Sequence, residues 1–542
     1  MNVIGRKRAL VAGILFVICF AGGCGERRDG RRPDGLASTK DLGPTIGSLA
    51  RLVSPEWLRV EGYGLVSGLK GTGSAECPPR IRAYLTRYIQ KQLPAHSKMD
   101  VGKYINRPDT AVVFVEGMMP AIASAGQYFD VVVTALPNTQ TTSLEGGWLF
   151  ETELRMAGSF GVNTRILADV KGPIFINRIG SSGIDKRAGY ILAGGKALEE
   201  YKINLALNRP DFRLANNIRD RLNERFGPDV AGAPSSGQIE LAVPARYNDR
   251  KQRFVALVGA MYLTQGPEIN GNRIAAFVRR LAGSEDKYAS EIALETIGNE
   301  CLDEISVLLT SHDERVRLHA ARCMLNLGSD AGLMTLRRIA MDANSTHRLE
   351  ALEAIAAAAS RDDAAAISRM LLRDDDFSTR LAAYEQLRKL DDAAVAGEQI
   401  ARRFYLERIT QTEKKAIYAS RSGQPRIVLF GAPISCHGNI FVGSDDGEIT
   451  INAPTDAEYV TIIRKHPKRP SVITQLKSSF EVGDIVKALC EDPVKEGEQG
   501  RGGLGVSYAD AIVLLKQMCD KGAVRAEFRA GPLPNFGLIV KK

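Results

Sequence analysis

Between Val60 and Gly73 the chain reads Val-Glu-Gly-Tyr-Gly-Leu-Val-Ser-Gly-Leu-Lys-Gly-Thr-Gly. Gly62, Gly64, Gly68, Gly71 and Gly73 alternate there with Val, Leu and Tyr63, which predicts short apolar strands broken by turns that need positive φ or close backbone approach. Next, Ile81, Leu85, Tyr88 and Ile89 recur at helical spacing with Arg80, Arg82, Arg87 and Lys91 opposite them, predicting an amphipathic helix over 78–93. β-Branched runs over 109–120 and 126–136, the second opened by Gly126 and carrying Asp130, predict strands. Ser143–Leu149 turns through Gly146 and Gly147 into a third strand, and 189–195 reads as a fourth. Leu214, Ile218 and Leu222, at i, i+4 and i+8, predict a helix led in by Pro210, Asp211 and Phe212 and stopped at Gly227 after Phe226. Ile239–Pro244 and Arg253–Leu257 follow as two further apolar-rich stretches.

Near residue 284 the pattern changes to Ala, Leu, Asp, Glu and Arg. Arg317-Leu318-His319-Ala320, Arg348-Leu349-Glu350-Ala351 and Arg380-Leu381-Ala382-Ala383 recur 31 and then 32 residues apart, an internal repeat of paired helices. Its turn, Asp313-Glu314-Arg315-Val316-Arg317, is similar to that of HEAT repeats, and 288–298 looks like the second helix of an earlier, degenerate unit. Such pairs bury their faces only by stacking, so a solenoid is expected. β Pattern returns at Ile417–Gly423, Arg426–Gly431 and His437-Gly438-Asn439-Ile440-Phe441-Val442; helices over 480–489 and 504–516 follow. The expected fold class is α+β: mixed β-rich parts in two sequence halves, interrupted by an all-α HEAT-like solenoid.

Length and composition are those of a globular chain of about three domains: 542 residues, 44% apolar and 25% charged. A basic cluster (Arg6, Lys7, Arg8) and an apolar run over 9–20 predict an export leader over 1–24. It ends in Ala21-Gly22-Gly23-Cys24, which resembles a lipobox and makes Cys24 a candidate lipidation site; the polar stretch 25–45 reads as a flexible tether. No later run reaches the roughly 18 apolar residues of a membrane span. Residues 284–398 carry 13 Lys/Arg against 22 Asp/Glu, a net −9 inside a chain of +9, so the rest is basic and suits acidic protein partners or anionic envelope polymers. Export argues against nucleic acid.

Candidate chemistry is sparse. Lys70 and Thr72 are separated by Gly71, which breaks the phosphate-loop order. Asp130 has no acid, His or nucleophile near it in sequence, so it reads as a turn-bonding carboxylate. His312, His319 and His347 lack ligand-pair spacing and read as surface residues; Asp374-Asp375-Asp376 reads as a helix-capping turn. No Cys-x-x-Cys occurs, although an oxidising compartment permits disulfides of open connectivity. Lys465-His466-Pro467-Lys468-Arg469 reads as a solvated basic loop. Neither metal, cofactor nor catalytic site is expected.

The ordered motifs at 60–73, 109–149, 208–227 and 239–257, and again at 417–442 and 504–528, resemble the bacterial flagellar P-ring protein family. The resemblance implies strands at Ile239–Pro244 and Arg253–Leu257, and 46–283 and 401–542 as two halves of one ring-forming protein, with repeats over 284–400 inserted. It implies a non-enzymatic periplasmic subunit, assembling as a homo-oligomeric ring around the distal rod, beneath the L-ring protein and within the peptidoglycan layer, as a bushing for rotation. Its structural motif residues are Gly62, Tyr63, Gly64, Gly68, Gly71, Gly73, Gly126, Asp130, Gly146, Gly147, Pro210, Asp211, Phe212, Phe226, Gly227, His437, Gly438 and Asn439. An acylated Cys24 would tether each copy, in the outer membrane by preference, and the solenoid would hold a protein partner of unknown identity. The alternative is a HEAT-repeat scaffold lipoprotein forming an envelope ring or collar outside motility.

Overall fold

Six antiparallel strands close into a barrel in the order Trp57–Ser67, Thr110–Pro120, Tyr128–Ala135, Ala188–Ala197, Ala168–Pro173 and Trp148–Met156. Side chains alternate across each strand, so Val60, Val66, Val113, Val115, Met119, Val131 and Val133 fill the interior. Leu65 and Val112 point outwards, where Ile81, Leu85 and Ile89 of the helix Pro79–Gln92 cover them. This computed structural model describes residues 42–536 apart from 54–56, 94–99, 121, 160–163, 181–183, 200–202, 467–468 and 495–501. The leader, Cys24 and most of the tether lie outside the described residues.

The first strand corrects the expectation of broken pieces, because Trp57–Ser67 runs unbroken through Gly62 and Gly64. A Cβ on Gly64 would sit 2.5 Å from Thr152 Oγ1 and 2.8 Å from Leu149 Cδ1, so glycine here allows close approach across the narrow barrel. Only beyond Ser67 does the chain turn, with Gly68 and Gly71 at φ +82° and +94°.

Beside the barrel lies a small antiparallel sheet, ordered Ala50–Leu52, Ile203–Leu207, Gln238–Leu241 and Ala231–Ser235. The helix Phe212–Phe226 covers it, starting from an Asp211 cap on the Leu214 N–H and ending at Gly227 with φ +118°. Arg253–Leu257, expected as a strand, belongs instead to the helix Lys251–Ala260. Arg253, Phe254, Leu257 and Val258 all lie on its buried side, a 3.6-residue period that the short apolar run conceals.

Helical pairing begins upstream of residue 284: Pro267–Gly283 stands against Lys287–Ile297 and supplies the first helix of the degenerate unit. Three pairs follow. They are Leu302–Ser306 with Glu314–Asn326, Asp330–Met341 with Arg348–Ala358, and Arg361–Leu371 with Phe377–Lys389. Asp313 and Asp376 cap the second helices of two pairs by accepting from the Arg315 and Thr379 amides, as the acidic turns predict.

The C-terminal part is a mixed five-stranded sheet ordered Ala396–Ile400, Phe404–Ile409, Arg426–Phe430, Ala416–Ala419 and Glu527–Ala530. Both faces are buried, which explains the continuous run Ile427-Val428-Leu429-Phe430. Ile417, Ile427 and Leu429 face the helices Val482–Cys490 and Tyr508–Asp520, whereas Tyr418, Val428 and Phe430 share a core with the repeats. A four-stranded meander, Ile440–Gly443, Ile449–Ala453, Val460–His466 and Arg469–Ser478, completes this part.

Candidate functional site

Asp130 stands on the outside of the barrel strand Tyr128–Ala135, between interior Phe129 and Val131. Its Oδ1 accepts from the Ala193 N–H at 2.6 Å, and its two oxygens accept from the Gly423 N–H at 3.0 and 2.8 Å. Ala193 lies where the register of the neighbouring strand shifts and has φ +48°, so one carboxylate stabilises a bulge and ties the barrel to the C-terminal part. Burial raises the Asp130 carboxyl above its ordinary range, and the two amide hydrogen bonds offset only part of that. These contacts reach further than the local turn bond expected of this residue.

Arg421, two residues before Gly423, strengthens the same contact by donating to Gly531 O at 2.6 Å and to Ile179 O and Asn177 Oδ1 at 3.2 Å. Beside it Arg178 bridges Glu145 and, at 2.9 Å, Asp510. Two sequence-distant halves therefore pack as one body, with Phe175, Ile179 and Leu192 of the first sharing the core of the second.

A second cluster joins the small sheet unit to the repeats. Glu291, fully buried, accepts from Arg253 at 2.6 Å, from Arg322 at 2.6–3.0 Å and pairs with His319 Nδ1 at 2.6 Å. Arg253 also pairs with Glu295. Burial alone would raise the Glu291 carboxyl; the His319 hydrogen bond and the Arg253 and Arg322 charges outweigh it and hold it down at about 2. His319 is thus a buried member of an ion network, and the expectation of a surface histidine is corrected. Its partner lies 28 residues upstream on another helix, so spacing carries no signal of it. An open cleft of about 750 Å³ adjoins the cluster, lined by Trp57 and Ile122 of the barrel rim, Arg250, Tyr288, Asn326 and Glu353.

The remaining motif residues do not converge on one site. Tyr63 lies on the barrel's outer side, its ring 5.2 Å from that of Phe114, and Gly73, Gly146 and Gly147 line turns at the end of the same strand. Gly126 precedes the Asp130 strand with φ +81°. Pro210, Asp211 and an exposed Phe212 open the small-sheet helix, and at its far end Phe226 packs on Phe254 with centroids 5.0 Å apart. His437, Gly438 and Asn439 lead into the meander, the His437 N–H donating to Ala523 O at 2.8 Å. Asp374 pairs with Arg348, and Asp376 caps, as the acidic triple suggests.

Among the described residues the six cysteines are unpaired, and burial pushes the thiols of Cys436, Cys490 and Cys519 up, away from nucleophilic thiolate. No group of three or more His, Cys, Asp or Glu able to hold a metal occurs among the described residues, and no described helix is long and apolar enough to cross a membrane.

A family model described as flagellar P-ring protein matches residues 46–270. The flagellar P-ring protein of Sodalis glossinidius is 32% identical over 221 residues, covering 38% of this chain and 58% of that relative. Those of Aquifex aeolicus and Desulfotalea psychrophila are 29% and 28% identical over 222 and 239 residues, each again covered to 58%. The chain therefore spans less than two thirds of the length of these relatives. The barrel, the small sheet unit and the helix Lys251–Ala260 fall inside the matched region, and the repeats follow it. Over residues 46–270 this chain is similar to flagellar P-ring proteins, and it carries that region together with a block of paired helices.

Proposed function

We propose that the protein is a non-enzymatic structural subunit of the flagellar basal body, assembling with copies of itself into a periplasmic ring around the distal rod, where it acts as a bushing. The observation that carries this reading is the family match over 46–270. The Asp130–Gly423 contact supports it, because it makes the C-terminal part continuous with the matched barrel. The polar clusters are engaged in packing and joining, which suits a load-bearing subunit. In this reading Cys24 carries a lipid that holds each copy at the outer membrane, and many anchors in one ring make the attachment lasting. L-ring protein and peptidoglycan are its neighbours, and the helical block holds a further protein.

Electron microscopy of tagged protein, extracted in detergent from its native envelope, tests the proposal. Closed rings carrying rods and hooks are expected. Rings without rods would transfer the protein to the alternative, a collar outside motility; monomers or small oligomers would overturn the ring reading.

A further inference from the structure

Cys301 and Cys323 lie at the start of the helical block, one just ahead of Leu302–Ser306 and the other within its partner Glu314–Asn326. Both are fully buried, in the core that Ile274, Phe277 and Leu281 share with Leu294. The helix Lys287–Ile297 positions the two sulfurs. Cys323 Sγ donates to Glu291 O at 3.7 Å and Cys301 Sγ to Leu294 O at 3.4 Å, and these carbonyls, three residues apart, are neighbours on one face of that helix. Gly298, at φ +102°, ends the helix and turns the chain back, and its carbonyl accepts from Cys301 Sγ at 3.0 Å. The two thiols interact directly there.

A single buried cysteine is an ordinary small core residue. Two adjoining thiols are different in an exported chain, because an oxidising compartment converts such pairs into disulfides.

We infer that Cys301 and Cys323 are joined by a disulfide, made as the first helical pair packs, which fastens the helical block just beyond the family-matched region. The inference rests on the periplasmic reading above and assigns partners to two of the six described cysteines. One Sγ–Sγ bond forms and two S–H bonds break; the two electrons and two protons pass to the disulfide of an envelope thiol oxidase, which leaves as a dithiol. Such exchange needs a thiolate. Once the helices are packed, the hydrogen bond with Cys301 and burial raise the Cys323 thiol well above its ordinary value, so exchange has to precede docking of Glu314–Asn326. Burial then shields the finished bond from reductant. His319 and Arg322 reach Glu291 from the same helix as Cys323, so the bond also holds the register of that ion network.

Peptide mapping of the full chain, extracted from its native envelope, tests the pairing. Free thiols are alkylated with iodoacetamide in denaturant, and trypsin is added without reductant. Cleavage after Lys287, Arg315, Arg322 and Arg337 places Cys301 in peptide 288–315 and Cys323 in peptide 323–337. The two are expected as one species, lighter than their sum by two hydrogen atoms and separating on reduction. Protease added outside the cytoplasmic membrane of the same cells reports export. Exported chain with both cysteines alkylated, or with either linked to a different cysteine, would overturn the pairing and leave the structural reading standing. Chain held inside the cytoplasmic membrane would overturn both.

Discussion

The helical block meets the rest of the chain in two ways that differ in kind. Towards the small sheet unit the contact is ionic, built on buried Glu291 with Arg253, Arg322 and His319. Towards the C-terminal sheet an apolar core carries it: Tyr384 and Leu387 share a core with Tyr418, Val428 and Phe430, the Phe377 and Phe430 rings lie 5.5 Å apart, and Glu407 and Arg426 add polar bonds to Tyr384, Arg388 and Glu385. An ionic contact of this sort specifies register and is sensitive to pH, and its net stabilisation is small once desolvation is counted. Apolar burial is insensitive to pH and scales with area. The block is therefore no detachable ornament. Removing it would strip one face of the C-terminal sheet, so loss of assembly after deletion would report misfolding before it reported a lost partner.

Substitutions separate the two contacts. Phe430→Ala, at a fully buried position, should cost about 3–5 kcal/mol in urea denaturation with no pH dependence. Glu291→Gln leaves two buried guanidinium groups short of their carboxylate and should cost about 3 kcal/mol near neutral pH. Because the folded Glu291 value is depressed to about 2 from 4.5, its contribution is present above pH 4.5 and is lost as pH falls towards 2. The cost of Glu291→Gln should shrink over that window; a constant cost would break the contrast between the contacts. Asp130→Asn should change stability least, by less than about 1.5 kcal/mol, because its amide oxygen still accepts from the Ala193 and Gly423 amides. Its slope is opposite. The folded Asp130 value lies above 3.8, so its contribution is present below that pH and is lost as pH rises through the raised value. Denaturation series across pH on both variants would therefore diverge in sign.

Legibility in the sequence followed the range of each interaction. The helices Pro79–Gln92 and Phe212–Phe226 and the repeat pairs were legible because period, caps and stops are local. Asp130 was legible only as a carboxylate with no acid, His or nucleophile near it in sequence. Its amide donor Gly423 was not, standing 293 residues away. Arg253–Leu257, taken for a strand from the resemblance, is helical, and five apolar-rich residues are too few to show the period of 3.6 that would have corrected it. His319 misread as a surface residue because the carboxylate that satisfies it comes from another helix.

Amino-acid order alone thus determined the alternation of β-rich and helical parts, the repeat, the charge division and the resemblance that the family match upholds over 46–270. Tertiary structure decided that the barrel closes around glycines, that the C-terminal sheet is covered on both faces, and that two carboxylates, Asp130 and Glu291, join parts far apart in the chain. The physical reason is one of distance. Backbone preference and period act over a few residues, whereas close approach, burial and charge satisfaction are properties of groups that only folding brings together.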